Sequence, residues 1–145
     1  MNRFVVDASV VAKWIFPEEH AKESSCLVRE QTSLHAPDFL SIELHNILSK
    51  KVRKKDIPPE SESNILRQME FLPVQFHLSS ELLRGAYDLS VRFHTSLYDC
   101  LYLSLALHLD CPLVTADARF QKSFQKTLLG ATVIHVLDVQ HESPS

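Results

Sequence analysis

Four acidic residues stand at positions where a carboxylate could do chemistry, and two of them follow apolar runs. Asp7 ends the run FVV at residues 4–6, and Asp117 follows the run PLVT at residues 112–115. Both runs are typical of strands, and the strand ends of a parallel sheet that lead into helices share one edge, where open α/β proteins bind ligands. We therefore expect both carboxylates to face one crevice. Each Asp also precedes a helical pattern, so helix N-capping is the competing interpretation.

The other two acids lie in helical segments. Glu43 is in the middle of FLSIELHNIL, close to an apolar stripe formed by Leu40, Leu44, Ile47 and Leu48. A half-buried carboxylate needs a partner, and a lysine or His45 would supply one in a purely structural role. Asp99 opens the apolar helix LYDCLYLSLALHL and follows Ser96 at the spacing of a capping box. Taken singly, each acid has a structural explanation.

Taken together, the four acids predict a metal site. Carboxylates crowded into one crevice repel each other, and their pKa values rise unless a cation neutralises them. Mg²⁺ or Mn²⁺ prefers oxygen ligands, keeps several waters and commonly joins carboxylates to a substrate phosphate. Such an ion would activate a water for in-line displacement at phosphorus. Hydrolysis of a phosphodiester is the reaction that this set of residues favours.

Two hydroxyls and one basic cluster could assist that reaction. Ser9 and Thr115 lie two residues from the strand-end acids, so they could hold a metal-bound water or a phosphate oxygen. Ordinary turn and cap hydrogen bonds are the alternative. The cluster KKVRKK, residues 50–55, ends the helix that carries Glu43. Its five positive charges could guide an RNA backbone or complement the negative end of the helix dipole.

Composition excludes several other classes of protein. The net charge is −3, and only Gly85 and Gly130 are glycines, so the chain lacks the material for a Gly-rich phosphate loop. Three cysteines without a CxxC pair, and histidines without an HExxH motif, argue against a zinc site and suit reduced thiols in the cytoplasm. The longest apolar stretch, residues 101–109, is too short to span a bilayer. We expect a soluble cytoplasmic protein without a signal peptide.

The elements that must position these residues alternate along the chain. Apolar runs predict strands at residues 4–6, 34–36, 73–78, 112–115 and 132–137. Helical patterns occupy residues 18–31, 39–55, 61–72, 79–93 and 97–109, with Ser79 or Ser80 as the expected cap of the fourth. This alternation predicts an α/β fold with a mostly parallel sheet of about five strands, covered by helices on both faces in a three-layer α/β/α sandwich. We expect one domain, residues 1–140, and a disordered tail at residues 141–145.

Four motifs now identify a family resemblance. VVDASVVAKW, APDFLSIELHNIL, SLYDCLYLSLA and LVTADARF resemble the four acidic motifs of the PIN domain in order and approximate spacing. The chain most closely resembles bacterial VapC-type toxins, from residue 3 to about the last strand. The resemblance implies a PIN-like fold and Mg²⁺- or Mn²⁺-dependent cleavage of RNA by a metal-activated water.

The resemblance also implies roles for single residues and partners. It makes Asp7 and Asp99 metal ligands, lets Asp117 complete the metal shell, and assigns Glu43 to a second ion or to the attacking water. Thr115 matches the hydroxyl position before the last acid. A homodimer and a small antitoxin that inserts a segment into the acidic cleft are further expectations. The alternative is a non-catalytic PIN-like module that binds RNA or protein; a phosphatase is disfavoured, because it would need a second aspartate at Ser9.

Overall fold

A five-stranded parallel sheet forms the centre of the molecule. The computed structural model describes residues 2–16, 21–29 and 31–139. Within them the strands are β1 (Asn2–Val6), β2 (Thr32–Pro37), β3 (Gln75–His77), β4 (Leu113–Thr115) and β5 (Val133–His135). They pair in the order β3-β2-β1-β4-β5, and every pairing is parallel. All five predicted strands are therefore present.

Helices cover both faces of this sheet. They are α1 (Ala8–Ile15), α2 (Ala21–Ser25), α3 (Phe39–Arg53), α4 (Pro59–Glu70), α5 (Leu83–Phe93), α6 (Leu97–Leu109) and α7 (Ala118–Phe124). Helix α1 contacts α2, α3 and α4, whereas α5 pairs with α6, and α6 lies against β1, β2 and β4. The predicted three-layer α/β/α sandwich is confirmed. The predicted tail, residues 141–145, lies outside the described residues, and the domain boundary at residue 140 stays a prediction.

Strand β1 lies at the middle of the sheet, which explains its unbroken apolar run. It pairs with β2 on one side and β4 on the other, and Phe4, Val5 and Val6 are all buried. A strand with helices on both faces has no solvent-facing side, so alternation of apolar and polar residues would bury polar groups. Consequently Asp7, the next residue, leaves the sheet at its centre.

Helix α6 is buried on most of its surface, as its sequence predicts. Six of its residues are buried, namely Cys100, Leu101, Tyr102, Leu103, Leu105 and Ala106. Exposed side chains lie near the two ends of the helix, namely Tyr98 at its start and Leu107 and His108 near its end. Within the described residues no helix is both long and apolar enough to cross a membrane. The three cysteines, Cys26, Cys100 and Cys111, are free thiols.

Two helix predictions are wrong in detail. The segment predicted as a helix over residues 18–31 is helical only over Ala21–Ser25 among its described residues, because the chain turns to bury Leu27 and to begin β2. The expected serine cap of α5 is also absent. A 3₁₀ turn, Ser79–Glu81, precedes this helix, and the Ser79 hydroxyl instead accepts the N–H of Phe39 at the start of α3.

Candidate active site

Asp7 and Asp117 both leave the sheet at its carboxyl edge and cap the helices that follow. Asp7 Oδ1 accepts hydrogen bonds from the Ser9 hydroxyl at 2.5 Å and from the Val10 N–H at 3.2 Å. Asp117 Oδ1 accepts from the N–H groups of Arg119 and Phe120. The capping interpretation is therefore correct for both. These contacts involve one oxygen of each carboxylate, so capping is compatible with binding a cation through the other.

Ser9 and Thr115 tie the two strand ends together. Their hydroxyl oxygens lie 3.2 Å apart, within hydrogen-bond distance. Ser9 Oγ also accepts the N–H of Ala116 at 2.8 Å, and Thr115 Oγ1 accepts the N–H of Asp117 at 3.1 Å. Both hydroxyls thus make the local hydrogen bonds expected of turn and cap residues. Contact with a metal-bound water or phosphate stays a prediction.

Asp99 lies among the other three acids. It is half-buried in the first turn of α6, where the Ser96 hydroxyl caps the helix by accepting the N–H of Tyr98. The charge of Asp99 raises the pKa of Asp7 and of Glu43, and the charge of Asp117 raises that of Asp99. Four residues separated by up to 110 positions therefore meet at the edge where β1 and β4 end.

Burial raises the pKa of three of these carboxyl groups. For Asp7 the pKa rises from 3.8 to about 6, mainly through desolvation, although hydrogen bonds from Ser9, Thr115 and Val10 oppose the rise. The pKa of Asp99 is raised mainly by desolvation and, to a smaller extent, by repulsion from the carboxylate of Asp117. Desolvation is also the main cause of the raised pKa of Glu43. The site is thus an anionic crevice with poor access to water, and a cation would stabilise it.

Tyr102 is the partner of Glu43, and the sequence reasoning missed it. Its hydroxyl donates to Glu43 Oε1 at 2.5 Å, whereas a lysine or His45 had been expected; His45 is exposed and bonds the Ser41 carbonyl instead. Burial and the charge of Glu43 hold the pKa of Tyr102 far above its ordinary value, so it remains a donor. Its position one turn after Asp99 on α6 was the available signal.

The donor set suits a hydrated hard cation. No three His, Cys, Asp or Glu side chains of the described residues are arranged to hold one ion together. Mg²⁺ nevertheless keeps several waters and uses only one or two carboxylates in many protein sites. Oxygen donors with burial-raised pKa values and mutual repulsion, centred on Asp99, match that chemistry. The residues present therefore fit Mg²⁺ or Mn²⁺.

An apolar depression of about 470 Å³ opens beyond the other end of α1. Its lining includes the apolar side chains of Trp14 and Ile15 of α1, Val28 after α2, and Phe71 and Leu72 after α4. The Trp14 indole N–H is bonded to the Ser24 carbonyl at 2.8 Å, which fixes the ring at the junction of α1 and α2. Asp7 caps the first turn of the same helix, so α1 links the acidic crevice to this depression.

The basic cluster ends α3 on the same layer. Lys50, Arg53, Lys54 and Lys55 are exposed, while the Lys51 ammonium lies over the Phe16 ring, 5.2 Å from its centroid. Ten residues of helix separate Glu43 from Arg53, which corresponds to about 15 Å at 1.5 Å per residue. The cluster is therefore within a few nucleotides of the acidic crevice.

The chain is thus an α/β/α sandwich with an acidic crevice at the carboxyl edge of its parallel sheet. A family model described as "PIN domain" matches residues 4–123, and the chain belongs to the PIN domain family. The chain is 29% identical over 124 residues to Ribonuclease VapC3 of Pyrobaculum aerophilum, covering 84% of this chain and 95% of that protein.

Two solved structures share the fold. A toxin–antitoxin complex from Klebsiella pneumoniae superposes with a TM-score of 0.62 at 12% identity, over 93% of this chain and 98% of the other. VapC20 of Mycobacterium tuberculosis, described as a sarcin–ricin-loop-cleaving toxin, superposes with a TM-score of 0.63 at 12% identity, over 83% of this chain and 94% of the other. At these identities the structures support the fold, and the predicted VapC-like kinship rests on the family match and the curated relative.

Proposed function

We propose that this protein is a metal-dependent endoribonuclease, a VapC-like toxin that hydrolyses RNA phosphodiester bonds with a water activated by Mg²⁺ or Mn²⁺. One observation carries the proposal: the charge of Asp99 interacts with those of Asp7, Glu43 and Asp117 at one sheet edge. Similarity to a curated VapC ribonuclease supports RNA as the substrate.

Asp7, Asp99 and Asp117 are the proposed metal ligands, and because no three described side chains are arranged around one ion, at least one of them would hold it through a coordinated water. When bound, the ion would lower the pKa of a coordinated water and offset the negative charge that develops on the phosphate. Ser9 and Thr115 position the two strand-end acids, since Ser9 donates to Asp7 and Thr115 accepts the backbone N–H of Asp117. Their hydroxyls hold the edges of the crevice at a fixed separation.

Glu43 is the proposed general base, or the group that orients the attacking water. The Tyr102 hydroxyl engages Oε1, which leaves the second carboxylate oxygen to accept a proton from water. Burial raises the pKa of Glu43, and a base is most effective when its pKa approaches the working pH. Tyr102 thus orients Glu43 and, by donating to its charged form, limits that rise.

We further propose an antitoxin partner, a homodimer and a cytoplasmic location. The likeness to a toxin–antitoxin complex supports the partner, and the apolar depression beside Trp14 is suited to an apolar segment of a small protein. Leu83, Tyr87 and Val91 are exposed at helical spacing along α5, an apolar stripe that supports pairing with another protein surface. Sedimentation of the purified chain at several concentrations tests the dimer.

The deciding experiment measures cleavage of total RNA by the purified protein in Mn²⁺. An EDTA sample and two variants, Asp99→Asn and Asp88→Asn, are run alongside. Asp88 is the matched control, because it is an exposed aspartate of α5 paired with Arg84. We expect discrete fragments from the unaltered chain and from Asp88→Asn, and none from Asp99→Asn or with EDTA.

A melting curve with and without millimolar Mn²⁺ separates the alternatives. Stabilisation by Mn²⁺ without cleavage would indicate a narrow RNA substrate or a retained inhibitor. If the metal neither stabilises the protein nor supports cleavage, the nuclease proposal fails and the non-catalytic PIN-like binding module is favoured, because a ligand that binds the native state must raise its stability.

A further inference from the structure

Two aromatic rings are stacked beside the acidic crevice. Phe39 and Tyr98 have ring centroids 5.1 Å apart and an interplanar angle of 8°. Phe39 is the first residue of α3, one turn before Glu43, and Tyr98 directly precedes Asp99 on α6. The pair therefore joins the two helices that carry Glu43 and Asp99.

Of the two rings, Phe39 is held in place by neighbouring groups, whereas Tyr98 is open to solvent. The Phe39 N–H donates to the Ser79 hydroxyl at 3.0 Å, and the Ser79 N–H donates to Asp38 Oδ1 at 3.0 Å, so two cross-links hold the start of α3. Phe39 also packs against the hydrophobic core. Tyr98, in contrast, is 58% exposed. Stacking on Phe39 covers one face of Tyr98 and leaves the opposite side to solvent.

We propose that Tyr98, one face of which is stacked on Phe39, is the stacking platform for an unpaired RNA base next to the phosphate that is cleaved. This inference rests on the proposed ribonuclease function. Single-stranded RNA is recognised largely by stacking of bases on exposed aromatic rings. A parallel ring pair extends naturally by one more aromatic plane at about the same spacing.

Electrostatics explain why such a platform is needed at this place. The acids that would bind the metal repel RNA phosphates. The charge of Asp99, the residue next to Tyr98, also disfavours ionisation of Asp7 and Glu43. Stacking does not depend on charge and tolerates any base, because each base has a π face. The platform can therefore bind any base close to the acids. Cationic side chains at the same place would also bind RNA, but they would disturb the metal site.

The test compares Tyr98→Ala, Tyr98→Trp and the control Asp88→Asn on a short RNA that spans the cleavage site mapped in total RNA. A second RNA carries an abasic nucleotide on either side of that site. We expect Tyr98→Ala to raise KM about tenfold and to change kcat by less than about twofold, whereas Tyr98→Trp retains the unaltered KM. The abasic RNA should remove the difference between Tyr98→Ala and the unaltered chain.

A binding readout keeps this test independent of catalysis. Anisotropy of a labelled twelve-nucleotide oligo(A) RNA in Ca²⁺ should show the same order of affinities. If Mn²⁺ neither supports cleavage by the unaltered chain nor stabilises it, the proposed function fails, while this titration still tests the platform. An equal affinity of Tyr98→Ala and the unaltered chain would overturn the inference. A change of oligomeric state in Tyr98→Ala would also overturn it, by assigning the ring to a protein interface.

Discussion

Replacing Asp7 with asparagine should stabilise the metal-free protein at neutral pH. Asn keeps the shape of the side chain and an Oδ1 that can accept from Ser9 and Val10, so the cap of α1 survives. What disappears is a carboxylate whose pKa rises from 3.8 to about 6 on folding, chiefly through burial. A buried charge that folding disfavours costs stability once it is ionised.

The size of this effect follows from the pKa change. Each pKa unit corresponds to about 1.4 kcal/mol, so the upper limit of the cost is about 3 kcal/mol. Asp7 retains partial exposure to solvent, which reduces that value, and we expect a gain of about 1–3 kcal/mol in the variant. The attraction between a carboxylate and a helix N-terminus is worth at most about 1 kcal/mol at an exposed site. The burial cost therefore exceeds the benefit of the charge to α1.

The pH dependence has a defined sign. Because the folded-state pKa is the higher one, the folded chain binds more protons, and the protein loses stability relative to Asp7→Asn as pH rises from about 4 to about 6. Below pH 4 the two proteins should be equally stable, and above pH 7 the difference should be constant. Urea titrations in EDTA at several pH values measure it, with Asp88→Asn as a control that should change stability by less than about 0.5 kcal/mol.

Adding Mg²⁺ should reduce the stability advantage of Asp7→Asn and reverse it if that advantage is small. The unaltered chain gains about 2.7 kcal/mol at a metal concentration of a hundred times Kd, whereas a variant without the Asp7 charge gains less. Reduced stability of Asp7→Asn in EDTA at every pH would refute the reasoning. It would show that the charge of Asp7 stabilises α1 by more than its burial in the crevice destabilises the folded protein. Equal responses of both proteins to Mg²⁺ would remove Asp7 from the metal site.

Three further predictions concern groups around the crevice. Tyr102→Phe removes the donor to Glu43; since that bond lowers the pKa of Glu43, the acidic limb of the pH–rate profile should move to higher pH, with a loss of about tenfold at pH 6 and less at pH 8. An unshifted profile would exclude Glu43 as the titrating base. Thr115→Val, at a fully buried position, leaves the Asp117 N–H without its acceptor and should lower the free energy of unfolding by about 1–2 kcal/mol in urea. Thr127→Val, whose hydroxyl also accepts a backbone N–H, is the control for hydroxyl loss away from the crevice and should keep full activity. Alanine at Lys50, Arg53 and Lys54, which are exposed on α3 and its cap, should weaken RNA binding and reduce the salt dependence of log K by about 2 in total. If the dependence of log K on salt concentration is unaltered, these charges do not contact RNA, and their role is to complement the helix dipole.

The sheet and the meeting of the acids were predictable because long-range order follows from a simple local pattern. Apolar runs such as Val5–Val6 and Leu113–Val114 are unbroken, which only a strand buried on both faces requires. Parallel strands then bring their carboxyl ends to one edge, so Asp7 and Asp117 meet although nothing between them in sequence indicates it. Fold and site were therefore one inference.

Side-chain partners were not predictable in the same way. Glu43 had to have a partner, but the choice among a lysine, His45 and Tyr102 depends on how α3 and α6 are placed across the sheet, and helical spacing within α3 does not contain that information. The Ser79 cap failed for the same reason, because its hydroxyl serves Phe39 forty residues away. Local sequence patterns indicate that a polar group needs a hydrogen-bond partner, but tertiary packing determines which residue is that partner.

The burial of the acids links the stability of the fold to its occupation by a cation. Helix α6 is apolar almost all round and must be buried, so the carboxylate of Asp99 in its first turn is carried into a poorly hydrated place. The same desolvation raises the pKa of Asp7 and Glu43. Without a cation, these groups oppose ionisation of one another and lower the stability of the native state at neutral pH. A bound divalent ion would remove this opposition for all of them at once, so a substitution of one of the four acids that lowers metal affinity should raise the stability of the metal-free protein.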